Sequence, residues 1–351
     1  MSANRTPLEK KPTRRAGALV AGAILVAAVG FGAGWFVKTV TTNYGSPQPL
    51  RLDSSQYQFI NPLLSCNFSA LGIFPQDKAM GNAISSVIAK HEAQGDIASG
   101  SAYFADFVTS KNVSVNGGEK YYPSSITKIP IMMAYYGLAE TSSTILDQVI
   151  TYPLGSPDLN NSQETKPAVA LVPGQSYTVE ELIEHMIKYS DNNAAELLFD
   201  SANKDAITSV YNDLQIPIEQ DVTASNLDFI TPQQVSALFR VLYNATYLSR
   251  AYSERALALL SQADFTQGLV AGVPTSTVVA HKFGIVGIDT NGIETERELH
   301  DCGIVYAPGH PYLLCVMTRG SATSPTSLSA MEGTIADISN AVYNQVEKNG
   351  D

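Results

Sequence analysis

The last third of the chain carries the pattern that most constrains the fold. Three short β-rich runs follow one another: "STVVAHKFG", "HDCGIVYA" and "PYLLCVMTRG". Pro308-Gly309 makes the middle of a turn between the last two. Strands that succeed one another with no helix between them pair antiparallel. A long segment, "SLSAMEGTIADISNAVYNQVEKN", then places Leu328, Met331, Ile335, Ile338 and Val342 on one helical stripe, which needs a surface to bury against. A doubly wound parallel sheet would need helices between these strands, so this ending argues against it.

The earlier segments agree. A helix is predicted after Pro75, with Ala79, Ile84, Val87 and Ile88 on one face. "IASGSAYFADF", Ile97 to Phe107, alternates as a strand does, and "VNGG" turns the chain. "TVEELIEHMIKYS" opens with Thr178 as N-cap and Glu181 three residues later; "TPQQVSALFRVLYNA" opens with Thr231 and with Pro232 at its first helical position. The order is helix, strands, a block of helices, strands, helix. This predicts an α+β fold: an antiparallel sheet flanked by helices, plus an all-helical lobe.

The N-terminus predicts a different environment. "AGALVAGAILVAAVGFGAGWFV", Ala16 to Val37, is 22 residues without a charge, enough to span a bilayer as a helix. Arg5, Lys10, Lys11, Arg14 and Arg15 precede it and only Lys38 follows closely, which keeps the N-terminus cytoplasmic. A cleaved signal peptide is the competing reading, but no A-x-A site follows the run. The expected organisation is a basic cytoplasmic tail (1–15), a transmembrane signal-anchor (16–37), a polar linker (38–60) and a folded domain (61–351) outside the cytoplasm. The expected location is therefore the cell membrane, with a single pass.

A net charge of −11 and no basic stripe in the body exclude a nucleic-acid partner. Five scattered histidines, none at ligand spacing from a cysteine or carboxylate, predict no metal, and no cofactor motif appears. Cys66, Cys302 and Cys315 match neither a disulfide framework nor a zinc pattern. They read as buried small residues, with a Cys302–Cys315 pairing left open.

Chemistry is suggested by "YYPSSITKIPIMM". Ser125 and Lys128 are three apart at the start of an apolar helix carrying Ile126, Ile129, Met132 and Met133, so they share a face. A serine hydroxyl is a poor nucleophile unless a base takes its proton. A buried lysine, kept uncharged, can be that base. Alone the pair is a weak signal, since a snorkelling lysine at a helix start is common. Two further elements strengthen it: Ser190-Asp191-Asn192 between two helices, and Lys282-Phe283-Gly284 on a strand.

These three motifs, in this order and context, resemble those of the serine β-lactamase and penicillin-binding superfamily, and most closely class A β-lactamases. "GQSYTVEELIEHMIKYSDNNAAELLF", "GLVAGVPTSTVVAHKFG" and "HDCGIVYAPGHPYLLCVMTRG" are similar to the same family, so the resemblance runs from about Asp77 to the C-terminus. It implies Ser125 as the acylated nucleophile, Lys128 as its base or as the residue that positions the base, and Ser190 as proton relay to the leaving nitrogen. Asn192 would hold the substrate amide, and Lys282 would attract the substrate carboxylate. Backbone N–H groups of Ser125 and Ile285 would form the oxyanion hole, with Gly284 leaving room for the substrate.

Two departures stand out. Phe283 replaces the threonine whose hydroxyl the family uses for the substrate carboxylate. His281, Thr318, Arg297 and Arg319 are the residues that could compensate, with His281 also readable as a strand residue facing away from the cleft. The glutamate that activates the deacylating water has no clear match: Glu219, seven residues from Asn226, is the first choice, ahead of Asp221 and Asp228. The expected activity is β-lactam hydrolysis by a membrane-anchored, monomeric catalytic domain, slow if that base is absent. The alternatives are a D,D-peptidase or transpeptidase acting on peptidoglycan stem peptides, and a catalytically silent wall-binding module.

Overall fold

Strand alternation organises the molecule around one sheet. In the computed structural model, which describes residues 57–61, 76–218, 228–290, 293–322 and 327–350, all within one compact unit, the sheet has five strands. They are β1 (Ser99–Asp106), β2 (Asn112–Val115), β5 (Val279–Thr290), β6 (Ile293–Val305) and β7 (Tyr312–Ser321), in the order β2-β1-β7-β6-β5, every neighbouring pair antiparallel. The turn before β7 has Gly309 at φ 75°, a conformation that glycine adopts without steric cost.

Residues of β7 point alternately to two cores. Tyr312, Leu314 and Val316 face α1 (Lys78–Gln94) and α8 (Ser327–Gly350); Leu313, Cys315 and Met317 face the helical lobe. The predicted α8 stripe is seated on the first face: Met331, Ile335, Ile338 and Val342 are fully buried, each worth about 2 kcal/mol against exposure. In α1 the buried face is Met80, Ile84, Ile88 and His91, so Ala79 falls outside the face that the sequence suggested.

The lobe on the other face contains α2 (Lys128–Ala139), α3 (Val179–Lys188), α4 (Asn192–Ser201), α5 (Lys204–Asp213), α6 (Pro232–Tyr243) and α7 (Arg250–Leu260), with a two-stranded sheet of β3 (Val149–Thr151) and β4 (Ser176–Thr178). Both predicted helix starts are complete capping boxes, Thr178 with Glu181 and Thr231 with Gln234. Helix α2 is not amphipathic: ten of its residues, including Lys128, are buried on all sides. It is the lobe's central helix, and that is why its sequence lacks a polar stripe.

Cys302 and Cys315 face each other on β6 and β7 and are joined by a disulfide, both fully buried. The sequence had left that pairing open. Cys66 and the expected anchor, 16–37, lie outside the described residues; among those described, no helix is long and apolar enough to cross a membrane.

Candidate active site

The site forms where the edge strand β5 meets the start of α2. The chain enters α2 through a single 3-10 turn, Ser124–Thr127, so Lys128 is the first α-helical residue and Ser125 lies one turn before it. Ser124 holds a left-handed φ of 49°, and its Oγ donates to the Ile285 carbonyl on β5 at 2.6 Å. A left-handed non-glycine residue is strained and persists only where its surroundings hold it. Here a strand holds it. Gly284 makes the close approach possible, because a Cβ there would sit 3.1 Å from the Pro123 carbonyl and 3.3 Å from the Ser125 nitrogen. The turn's backbone and β5 therefore lie in near contact.

A second clamp lies just upstream. The Tyr122 N–H donates to Glu298 at 2.9 Å, and His300 Nε2 lies 3.0 Å from the Tyr122 carbonyl. Glu298 and His300 are fully buried on β6, and Arg319 on β7 bridges Glu298 to Asp228. Burial would raise the Glu298 carboxyl, but His300, Arg319 and the Tyr122 amide outweigh burial and hold it below the usual range. This clamp gave no sequence signal beyond the alternation of β6.

The polar groups converge on Lys128. Its Nζ lies 3.0 Å from Ser125 Oγ, 2.6 Å from the Ser190 carbonyl, 3.1 Å from Ser190 Oγ and 2.7 Å from Asn192 Oδ1. Burial pushes its pKa well down and the Lys282 ammonium adds to this, while Asp191 opposes. An uncharged amine has two N–H donors and one lone pair. The carbonyl of Ser190 and Oδ1 of Asn192 can only accept, so they take both N–H groups. When the amine is uncharged, the lone pair is left for a hydroxyl, and two lie within reach, Ser125 Oγ at 3.0 Å and Ser190 Oγ at 3.1 Å. The arrangement can remove the Ser125 proton.

Ser190 lies between two lysines. Its φ of 56° is left-handed, which turns both its carbonyl and its Oγ toward Lys128. Lys282 Nζ reaches the same Oγ at 2.9 Å. The loop is fixed by buried Asp191, which caps α4 and accepts from Asn160, while Asn160 Oδ1 accepts the Asn192 N–H at 2.8 Å. Burial lowers Lys282 to about 7, with Asp301 and Asp264 partly opposing. Its ordinary value is 10.5, so between about pH 7 and 10.5 the unfolded chain binds a proton that the folded chain does not. Stability should therefore climb with pH through that window. In Lys282→Met the climb should be shallower by on the order of 1 kcal/mol per pH unit, read from urea unfolding at about pH 7.5 and 9.5.

The departure at Phe283 is explained by packing. Its ring is 4% exposed and stacks on Phe265 with centroids 4.3 Å apart. Of the residues that could compensate for the missing hydroxyl, His281 is buried against Asp301 at 2.8 Å, Thr318 donates to the Leu299 carbonyl, and Arg319 belongs to the Glu298 clamp. Arg297 alone approaches the cleft mouth, through Glu164. The cleft, about 360 Å³, is lined by Ser125, Ser190, Asn192, Phe283 and Ile285 among others. Glu219, Asp221 and Asn226 lie outside the described residues. Asp228 is held by Arg319, not by Ser125 or Lys128. Among the described residues, no carboxylate hydrogen-bonds Ser125 or Lys128.

A serine facing a buried amine, under an antiparallel edge strand and beside a helical lobe, is the arrangement of a serine hydrolase. The chain belongs to the beta-lactamase enzyme family, whose sequence model matches residues 80–346. The extended-spectrum beta-lactamase PER-1 of Pseudomonas aeruginosa is 25% identical over 248 residues, covering 65% of this chain and 76% of that protein. The structure of PBP-A superposes with a TM-score of 0.63 at 20% identity, covering 78% of this chain and 97% of that one. A class A beta-lactamase from Mycobacterium abscessus superposes with a TM-score of 0.61 at 23% identity, covering 75% and 98%. At these identities, the superpositions speak for the shared fold.

Proposed function

We propose that the protein is a β-lactam-hydrolysing enzyme that forms an acyl-enzyme at Ser125. The observation that carries this is a cleft-lining Ser125 hydroxyl 3.0 Å from a buried amine of lowered pKa, whose N–H groups have the Ser190 carbonyl and Asn192 Oδ1 as acceptors. Lys128 takes the proton as Ser125 attacks the ring carbonyl. Ser190, touching both lysine amines, passes a proton to the departing nitrogen. The N–H groups of Ser125 and Ile285 stabilise the oxyanion, and Asn192 holds the substrate amide. Lys282 tunes Ser190. A mutant of PBP-A, a structure of like fold, was solved as an acyl-enzyme complex with penicillin G, which accords with this reading. The domain would be tethered through residues 16–37 and act outside the cytoplasm.

The second reading, a D,D-peptidase on peptidoglycan stem peptides, uses the same nucleophile and amine. What separates the two is a carboxylate that activates the deacylating water, a base that typically supplies 10²–10⁴-fold. One experiment decides. The protein is mixed with a chromogenic β-lactam, and colour and intact mass are followed together. Continued colour release with a transient adduct on the Ser125 peptide supports the hydrolase. A single burst with a lasting adduct supports the penicillin-binding reading, and no adduct overturns both.

A further inference from the structure

Among the described residues that line the cleft, the one carrying a full charge is Glu164, an anion. Its carboxylate pairs with Arg297 Nη2 at 2.7 Å. The two come from opposite walls: Glu164 lies in the loop after Ser162 on the helical side, and Arg297 stands opposite Gly287 on β6. The same guanidinium binds Glu294 at 2.8 Å, and its Nη1 lies 3.3 Å from Ser327 Oγ at the start of α8. Gly287 makes this possible, because a Cβ there would fall 2.4 Å from the Glu294 carboxylate carbon. Arg297 is thus aimed and braced independently of Glu164, and two carboxylates share one guanidinium.

We propose that the Glu164–Arg297 pair is a strap across the cleft mouth, and that anionic substrates enter by placing their own carboxylate on Arg297 in place of Glu164. The inference rests on the acylation reading above and names the anchor that Phe283 does not supply. A guanidinium fork accepts one carboxylate as readily as another. The incoming carboxylate replaces one Arg297 partner with another of the same charge, so no guanidinium is left unpaired, and the arginine stays oriented by Glu294 and Ser327 when Glu164 leaves. Until exchange occurs, Glu164 repels anions from the mouth. The strap therefore selects for substrates whose carboxylate lies within reach of β6.

The test compares acylation rates of full-length wild type, Glu164→Gln and Arg297→Gln, using a carboxylate-bearing fluorescent penicillin and its neutral methyl ester. With the acid, Glu164→Gln should be acylated several-fold faster, and Arg297→Gln slower by on the order of tenfold. With the ester, the two variants should shift in the same direction. Opposite signs with the acid alone support the exchange. The same sign with both compounds, or changes under about twofold, would reduce the pair to a structural brace and overturn the inference. No adduct on wild type would overturn the acylation reading itself, and the inference with it.

Discussion

Ser125→Ala should lose covalent labelling by β-lactams altogether, with second-order acylation falling on the order of 10⁴-fold or more. The reason is local. The hydroxyl lies 3.0 Å from Lys128 Nζ at the cleft, and the neighbouring Ser124 Oγ is turned away, committed to the Ile285 carbonyl at 2.6 Å. Removing Ser125 Oγ leaves Lys128 with Ser190 and Asn192, so the polar network keeps its other partners. The stability change should stay within about 1 kcal/mol, since one hydrogen bond of a half-buried side chain is lost. Intact mass after incubation with penicillin, alongside urea unfolding, checks both halves. A variant that still gains one penicillin in mass, at a site other than residue 125, would move the nucleophile elsewhere.

Lys128→Met should have the next largest effect. Methionine fills the buried space but has no lone pair for a proton, so acylation should fall by roughly 10²–10⁴-fold. The half-buried Asn192 Oδ1 loses its lysine donor, and the Ser190 carbonyl keeps only Gln163 Nε2 at 3.3 Å, at a cost of about 1–3 kcal/mol. The pH profile carries more information than the rate. Burial and then Lys282 depress the Lys128 pKa, so the amine takes up its proton at a lower pH than an ordinary lysine does. Wild-type acylation should therefore fall along an acid limb, and the residual rate of Lys128→Met should lack it. Lys128→Arg should lose activity at every pH, because a guanidinium stays protonated. An unchanged acid limb in Lys128→Met would assign the base to another group.

Much of this could be read before any coordinates. The two capping boxes, the antiparallel ending and the α8 stripe are local patterns, set by residues close together in the chain, and each is where the periodicity put it. The helices α5 and α7 went unread although each opens on an N-cap, Asn203 and Ser249, and buries residues at helical spacing, Ile207 and Val210 in one and Ser253, Ala256, Leu257 and Leu260 in the other. The β5–β6 hairpin is also longer than the two short runs suggested, with polar residues carrying its outer half. Contacts between strands stabilise that part, and a linear pattern does not record them.

By itself, the sequence determined the class of fold and the three motifs that meet at the site, because periodicity and residue type are written in neighbouring positions. The tertiary structure alone decided how those motifs act. The left-handed φ angles of Ser124 and Ser190, the burial that lowers the Lys128 pKa, the Glu298 clamp on Tyr122 and the Glu164–Arg297 pair all join residues far apart in the chain. The physical reason is that a pKa, a strained dihedral or an ion pair depends on what surrounds a group in space, and only the folded chain brings those surroundings together.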